Sequence, residues 1–338
     1  MKKCYKTRTS RDVREVFRNM NRRNFLKTAV VGTAAAATAP VWENPLFAAE
    51  ETAESSKPLD MIAIYGGSAV EMFKKGIAEM GGMERFVKKG QRVILKPNIG
   101  WDRGPEFGAN TDPDLVGYVT KICLELGAKE VLCFDKTCGN DWQNRYKMSG
   151  IKDAVEKNGG KMVDGQSDAM FEEQEIPKGV VLKKADVHKL AINPDVFINM
   201  PVLKNHSGTK ITCALKNYMG CIRDRQFWHK NNLPQCIADF ATYQKTTLTI
   251  VDAYRVMLEH GPRGNDPKFT TVAKYQIIST DMVAADVAAT QIFATVAKQA
   301  KMGKAYTVDE ITYLALAEKA GVGTMDLKKI NMKRITMA

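Results

Sequence analysis

The chain reads as an α/β protein built on a mostly parallel sheet with helices on both faces. Two observations predict this. Short apolar, β-prone runs alternate along the chain with stretches whose apolar residues recur every three or four positions. Several of those runs stop at a Lys, Asn or Asp that opens a loop. Strands alternating with helices are the pattern of a parallel sheet sandwiched between helical layers.

The elements follow in order. Met61–Tyr65 is a first strand, followed by a helix over Val70–Met80. Arg92–Leu95 is a second strand, stopping at Lys96-Pro97, and a loop rich in Gly, Asn and Asp covers 98–112. Asp112 then caps a helix that has Pro113 at its first position, where proline needs no hydrogen-bonded N–H. Leu115, Val119, Ile122 and Leu126 form its apolar stripe, and Gly127 stands where a left-handed residue ends a helix. Val131–Phe134 is a third strand ending at Asp135. A helix near 150–157 and a strand near 161–163 continue the alternation. The region 164–185 carries the weakest pattern and suits an insertion with short antiparallel strands. Val196–Ile198 and Leu248–Val251 are further buried strands, the latter ending at Asp252. Helices around 283–299 and 307–319 follow.

Ahead of this domain lies Asn21-Arg22-Arg23-Asn24-Phe25-Leu26-Lys27, followed by a mild apolar stretch, Thr28–Ala39. The segment resembles a twin-arginine export signal, with a basic region, an arginine pair and a weakly hydrophobic core. The resemblance implies handling by the twin-arginine translocase and a periplasmic or otherwise exported location. The apolar stretch is too short for a stable membrane span, and no later run approaches that length. The clusters of small residues near Leu46–Ala49 include no clean cleavage site, so both a cleaved leader and a retained anchor stay open. The expected organisation is a signal region over 1–49, a polar linker over 50–58 and a single α/β domain over 59–338.

The leader also changes how charge is read. It holds ten Lys/Arg against three Asp/Glu, which leaves +5 of the whole chain's +12 for the remainder. That modest excess does not argue for nucleic acid as a partner. Six of the seven cysteines lie beyond the leader, with no C-x-x-C and no ferredoxin-type run, so no cofactor is named by them. Cys123 and Cys213 sit in helical patterns and read as buried thiols; Cys133 and Cys138 are near enough in sequence to pair.

Polar residues cluster at one end of the strands. Lys96 and Asn98 follow the second strand, Asp135 and Lys136 the third, Lys204 and His206 the Phe197-Ile198 strand, and Asp252 the Thr249-Ile250 strand. In open α/β sheets ligands bind outside the carboxyl ends of the strands. The densest segment is Pro201–Thr209, which leads into an expected helix over Lys210–Met219 with Ile211, Ala214, Leu215 and Tyr218 on its apolar face. Lys216 and Asn217 fall on another stripe. A Lys/His/Ser/Gly loop before a helix N-terminus suits an anion. The expected ligand site is therefore Lys96, Lys204 and Lys216 holding a small anionic ligand, with Asn98 and Asn217 orienting it. His206 is the candidate acid/base, since an ordinary imidazole titrates near neutral pH. Asp252 would orient His206 or help hold a metal. His206 and His229 with Asp252 or Asp286 form a mixed metal set that matches no known spacing, and the metal is left undetermined. Arg263, in the turn His260–Gly264, is placed to meet a carboxylate or phosphate. Tyr65-Gly66-Gly67-Ser68 is a faint phosphate-turn pattern without G-x-G-x-x-G.

These segments in their order resemble the domain of unknown function 362 family. The pieces that carry the likeness are Val93–Asn98, Thr111–Val116, Gly127–Val131, Asp195–Lys204, Ala214–Gly220, Ala238-Asp239, Ile250–Ala253 and Gly261-Pro262. Some members of that family carry an added iron–sulfur domain, which this chain lacks, and the resemblance implies no established reaction. The expected function is an exported enzyme, with a redox link left open, acting on a small anion at the strand carboxyl edge. The alternative is a non-catalytic accessory module that binds a ligand or cofactor at that same edge.

Overall fold

The computed structural model describes residues 57–337, so the leader and most of the expected linker lie outside the described residues. The described chain begins β1 (Met61–Tyr65), α1 (Ala69–Glu79), β2 (Arg92–Pro97), α2 (Pro113–Glu125), β3 (Glu130–Cys133), α3 (Trp142–Met148), α4 (Ile151–Lys157) and β4 (Lys161–Met162). It continues with β5 (Phe171–Glu175), β6 (Lys184–His188), β7 (Val196–Met200), β8 (Val202–His206), β9 (Lys210–Thr212), α5 (Ala214–Asn217), α6 (Arg225–Lys230) and α7 (Leu233–Tyr243). Then come β10 (Leu248–Met257), β11 (Thr270–Ser279), α8 (Met282–Ala300), α9 (Thr312–Lys319) and β12 (Met332–Thr336).

The main sheet has the order β12-β1-β11-β10-β7-β2-β3-β4, with β8 paired to β10 and β9. Strand β2 lies parallel to β3 and β7, β10 parallel to β7 and β8, β3 parallel to β4, and β1 parallel to β12. Within this sheet of the described residues, only β11, between β1 and β10, and the β8–β9 hairpin pair antiparallel. The mostly parallel expectation holds.

Side chains alternate between two apolar layers, which is what puts helices on both faces. Val93 and Leu95 of β2 and Val196 and Ile198 of β7 pack with α1, α2 and α4 through Phe73, Leu115, Val119 and Val155. Ile94 and Phe197, one position out of phase, pack on the other side with α7 and α8 through Phe240, Ile292 and Phe293. The start of α2 is as the sequence predicts: Asp112 accepts from Asp114 N and Leu115 N, with Pro113 in the first turn. Gly127 adopts φ +83° just past its end, a conformation that favours glycine. Ser68 of the faint phosphate turn caps α1 in a reciprocal box with Glu71.

Three expectations are corrected. Residues 210–219 are not one helix: Lys210–Thr212 is a strand returning on β8, and the helix is the single turn Ala214–Asn217 followed by a 3-10 turn over Tyr218–Cys221. Every residue from Ile211 to Ile222 is buried, so the apolar spacing there carries no helical period. The strand at 248 continues to Met257 and pairs with β11, which has no counterpart in the sequence reading. The last expected helix starts at Thr312 rather than 307. The 164–185 region does contain an antiparallel pair, β5–β6, extending to His188. Among the described residues no helix is long and apolar enough to cross a membrane.

Candidate functional site

The carboxyl ends of β2, β3 and β8 converge with α5 on one cavity of about 300 Å³, lined by Asn98, Lys204, His206, Lys216, Asn217, Asp135, Cys138, Thr212, Arg225, His229 and Trp101, among others. Five of the seven residues expected from sequence therefore meet there. Lys96 lies directly beneath, and Asp252 stands apart.

The floor is a buried polar chain. Lys96, fully buried, pairs with Asp135 Oδ1 at 2.8 Å and donates to Pro97 O at 2.7 Å and Asn217 Oδ1 at 3.3 Å. Asp135 Oδ2 accepts from Ile99 N at 2.6 Å. A buried charge is tolerated only when so paired, which makes Lys96 a structural cation neutralised by Asp135. Gly220 closes over this pair: a Cβ there would fall 1.7 Å from Asp135 Oδ1 and 2.6 Å from Lys96 Nζ, so no side chain fits. Asn217 donates to Lys96 O and to Asn199 Oδ1, and its own Oδ1 accepts from Asn98 Nδ2 at 3.2 Å. The single turn that carries Lys216 and Asn217 is held from α8, where the Asp286 carboxylate accepts from Ala214 N and Leu215 N. Burial pushes Asp286 up to about 7.

The walls carry cations without carboxylate partners. Lys204 Nζ donates to Asn98 Oδ1 at 2.7 Å and to Ala109 O. Lys216 Nζ meets only the thioether of Met219, at 3.2 Å, and Arg225 donates to Met219 O and to Cys138 Sγ. Among the described residues, none of the three forms an ion pair. Burial lowers Lys204 from 10.5 to about 7, with the neighbouring Lys216 charge adding to the shift, and it lowers Lys216 to about 8, with Arg225 acting the same way. Thr212 Oγ1, buried at the same wall, has no hydrogen-bond partner.

His206 reaches the cavity in a form the sequence does not suggest. Its Nδ1 accepts from Gly208 N at 2.9 Å and Thr209 N at 3.3 Å, which leaves the ring proton on Nε2. Burial and the charges of Lys216 and Lys204 push it down to about 2. The ring is a neutral donor at the cavity wall, not an acid–base pair poised near neutrality. The loop after it is a hairpin turn, so the helix N-terminus expected at Lys210 is absent there.

Asp252 serves elsewhere. Its carboxylate accepts from Asp112 N at 2.8 Å and Tyr254 N at 3.0 Å, and burial with the Asp112 charge raises its pKa. It neither bonds to His206 nor lines the cavity. With Asp286 committed to α5, the mixed metal set is not assembled, and among the described residues no cluster of three or more His, Cys, Asp or Glu is arranged to hold a metal. Arg263 meets Asp102 at 3.5 Å. Cys133 is buried and Cys138 half-exposed, and the two are not bonded. Sequence reasoning missed Arg225, Thr212 and Cys138, which come from three separate segments with no shared spacing.

Comparison with known proteins adds an address and a family. The profile described as domain of unknown function (DUF362) matches residues 93–291, and that of the twin-arginine translocation pathway signal sequence matches residues 19–39. A thylakoid-associated protein of Synechocystis sp. is 27% identical over 266 residues, covering 73% of this chain and 79% of that protein. Among solved structures, the lactate racemase apoprotein from Thermoanaerobacterium thermosaccharolyticum aligns with 16% identity and a TM-score of 0.39. That alignment covers 58% of this chain and 50% of the racemase chain, a likeness too slight to carry any argument. The signal sequence means export through the twin-arginine pathway, to the periplasm or beyond.

Proposed function

Starting from a chain that belongs to the domain of unknown function 362 family and leaves the cytoplasm by the twin-arginine route, we propose that it binds a small organic anion in the cavity at the strand carboxyl edge. The observation that carries this reading is the set of three cations, Lys204, Lys216 and Arg225, two of them buried, that face one small cavity with no ion pair among the described residues, its lining carboxylate Asp135 being taken by Lys96. Burying a charge without a partner is costly, and the lowered lysine values express that cost. A bound anion supplies the missing partner and restores both lysines to their charged form. Thr212 Oγ1 and His206 Nε2–H add neutral donors, while Asn98 and Asn217 fix the floor. Trp101, Met219 and Pro262 give the rim an apolar share, which suits a carbon skeleton better than a bare inorganic ion. A cavity of about 300 Å³ holds a ligand at the small end of the range for such sites.

The same geometry supports an enzyme better than a passive carrier, because Lys204, near 7 in the empty cavity, takes up a proton as an anion enters and gives it up as the anion leaves, so binding is coupled to proton transfer at working pH. In this reading Lys204 replaces His206 as the acid–base group. The experiment is equilibrium binding of small carboxylates to the purified protein at pH 6, where both lysines are charged. Saturable one-to-one binding that Lys216→Met abolishes supports the site; binding indifferent to that substitution sinks it. Proton exchange at the ligand's carbon, followed by NMR in deuterated water, separates the enzyme from an accessory module.

A further inference from the structure

One group in the cavity is not used by anion binding alone. Cys138 is half-exposed at the wall, its N–H donating to Gly100 O at 2.9 Å and its Sγ accepting from Arg225 Nη1 at 3.2 Å. Arg225 is itself held by its Nε–H on Met219 O at 2.9 Å. The other cysteines among the described residues are all buried, and burial pushes the Cys123 and Cys221 thiols up to about 12. Reactive thiols occur in electropositive, partly exposed surroundings, whereas buried ones are inert. Cys138 alone among the described cysteines meets that description.

The sulfur also borders the space the ligand would fill. A Cβ placed on Gly100 would stand 3.8 Å from Cys138 Sγ and 3.9 Å from Asn98 Oδ1, the oxygen that accepts from Lys204. Thr212 Oγ1, buried at the wall of the same cavity, has no partner within the protein and so calls for one from a ligand.

We propose that Cys138 Sγ adds reversibly to the carbonyl carbon of the anion bound here, a carboxylate bearing an adjacent aldehyde or ketone. The inference rests on the anion-binding reading above. In the step the Sγ–C bond forms, the π pair of the carbonyl moves onto oxygen, and the proton given up by the thiol ends on that oxygen. The product is a hemithioacetal, or its ketone counterpart, with the carboxylate still on the lysines, and neither oxidant nor reductant is consumed. The Thr212 hydroxyl and His206 Nε2–H are donors for the oxygen as charge develops on it. Lys204 can carry the proton between sulfur and oxygen.

The test uses the purified full protein and two alkylating reagents, iodoacetate and iodoacetamide, with the rate at Cys138 read by peptide mass and referenced to N-acetylcysteine. Capture of the reagent carboxylate raises the iodoacetate-to-iodoacetamide ratio at Cys138 above the reference by about tenfold or more, and Lys216→Met returns it to the reference. Glyoxylate then protects Cys138 at concentrations about tenfold below those of glycolate, which has the same charge but no carbonyl. Carbon NMR of 2-13C-glyoxylate shows an adduct that Cys138→Ser lacks. Equal protection by glycolate, or an adduct that persists in Cys138→Ser and so belongs to a lysine imine, overturns the thiol addition while the anion site stands. A reference-level ratio with no protection by either acid overturns both.

Discussion

Replacing Lys204 by methionine separates the cost of a charge from the value of its contacts. Lys204 is 2% exposed and titrates at about 7 instead of 10.5. At about 1.4 kcal/mol per pH unit, keeping it charged below pH 7 costs the folded state up to about 5 kcal/mol. Because the folded value is the lower one, the unfolded chain binds more protons between pH 7 and 10.5. Wild-type stability therefore gains from this residue as pH rises from about 7 to 10.5, and the gain is lost across the same window as pH falls, the full cost being present below about 7. Lys204→Met has no such dependence. It does leave Asn98 Oδ1 and Ala109 O without a donor, at about 1–3 kcal/mol each and independent of pH. The two effects roughly offset at pH 6, so the variant should unfold close to wild type there and be less stable by several kcal/mol at pH 10. Urea unfolding at pH 6, 8 and 10 in ligand-free buffer of constant ionic strength measures this. A stability difference that stays constant across the three pH values would refute the reasoning that Lys204 is held against its charge.

Other consequences follow from the same geometry. Lys216→Met, which gives up only a thioether contact, should remove measurable anion binding, since the charged hydrogen bond lost is worth about 1.5–3 kcal/mol, while leaving the melting temperature unchanged or raised. Affinity for a carboxylate should fall as pH rises through about 7 and then about 8, by up to about tenfold per pH unit for each lysine that must be recharged, and calorimetry in buffers of different ionisation enthalpy should show proton uptake on binding. Gly220→Ala puts a methyl inside the Lys96–Asp135 pair and should destabilise by several kcal/mol or prevent accumulation of folded protein, seen by circular dichroism. Arg22→Lys with Arg23→Lys should retain the protein in the cytoplasm, measured by cell fractionation.

What the sequence revealed and what it hid have physical causes. Strands β2, β3 and β7 were legible because each is an apolar run buried on both faces and stopped by a polar residue, and of those stops Asn98 and Asp135 do line the cavity, with Lys96 beneath it. The segment from Ile211 to Ile222 misled because total burial leaves no polar face to mark a period. Strand β11 was hidden in part by Lys274, an exposed residue at φ +56° that breaks the run. His206 does line the cavity, but the sequence cannot show the burial and the two neighbouring lysines that hold its ring below the ordinary imidazole range, since only the fold brings them together. Asp252 shows the reverse case: an acid at a strand stop, expected to orient His206 or help hold a metal, instead anchors the α2 cap. Arg225 and Cys138 lie 87 residues apart and meet through side chains alone, a juxtaposition no spacing announces.

The central claim is that Lys204 and Lys216 are preformed partners for a small organic anion. Isothermal titration at pH 6 and fixed ionic strength, with acetate, glycolate, glyoxylate and phosphate as probes, addresses it directly. The account predicts one-to-one binding of at least one carboxylate by the wild type, lost in Lys216→Met although that variant melts normally. No binding by any of the four, or binding that survives in Lys216→Met, would contradict it.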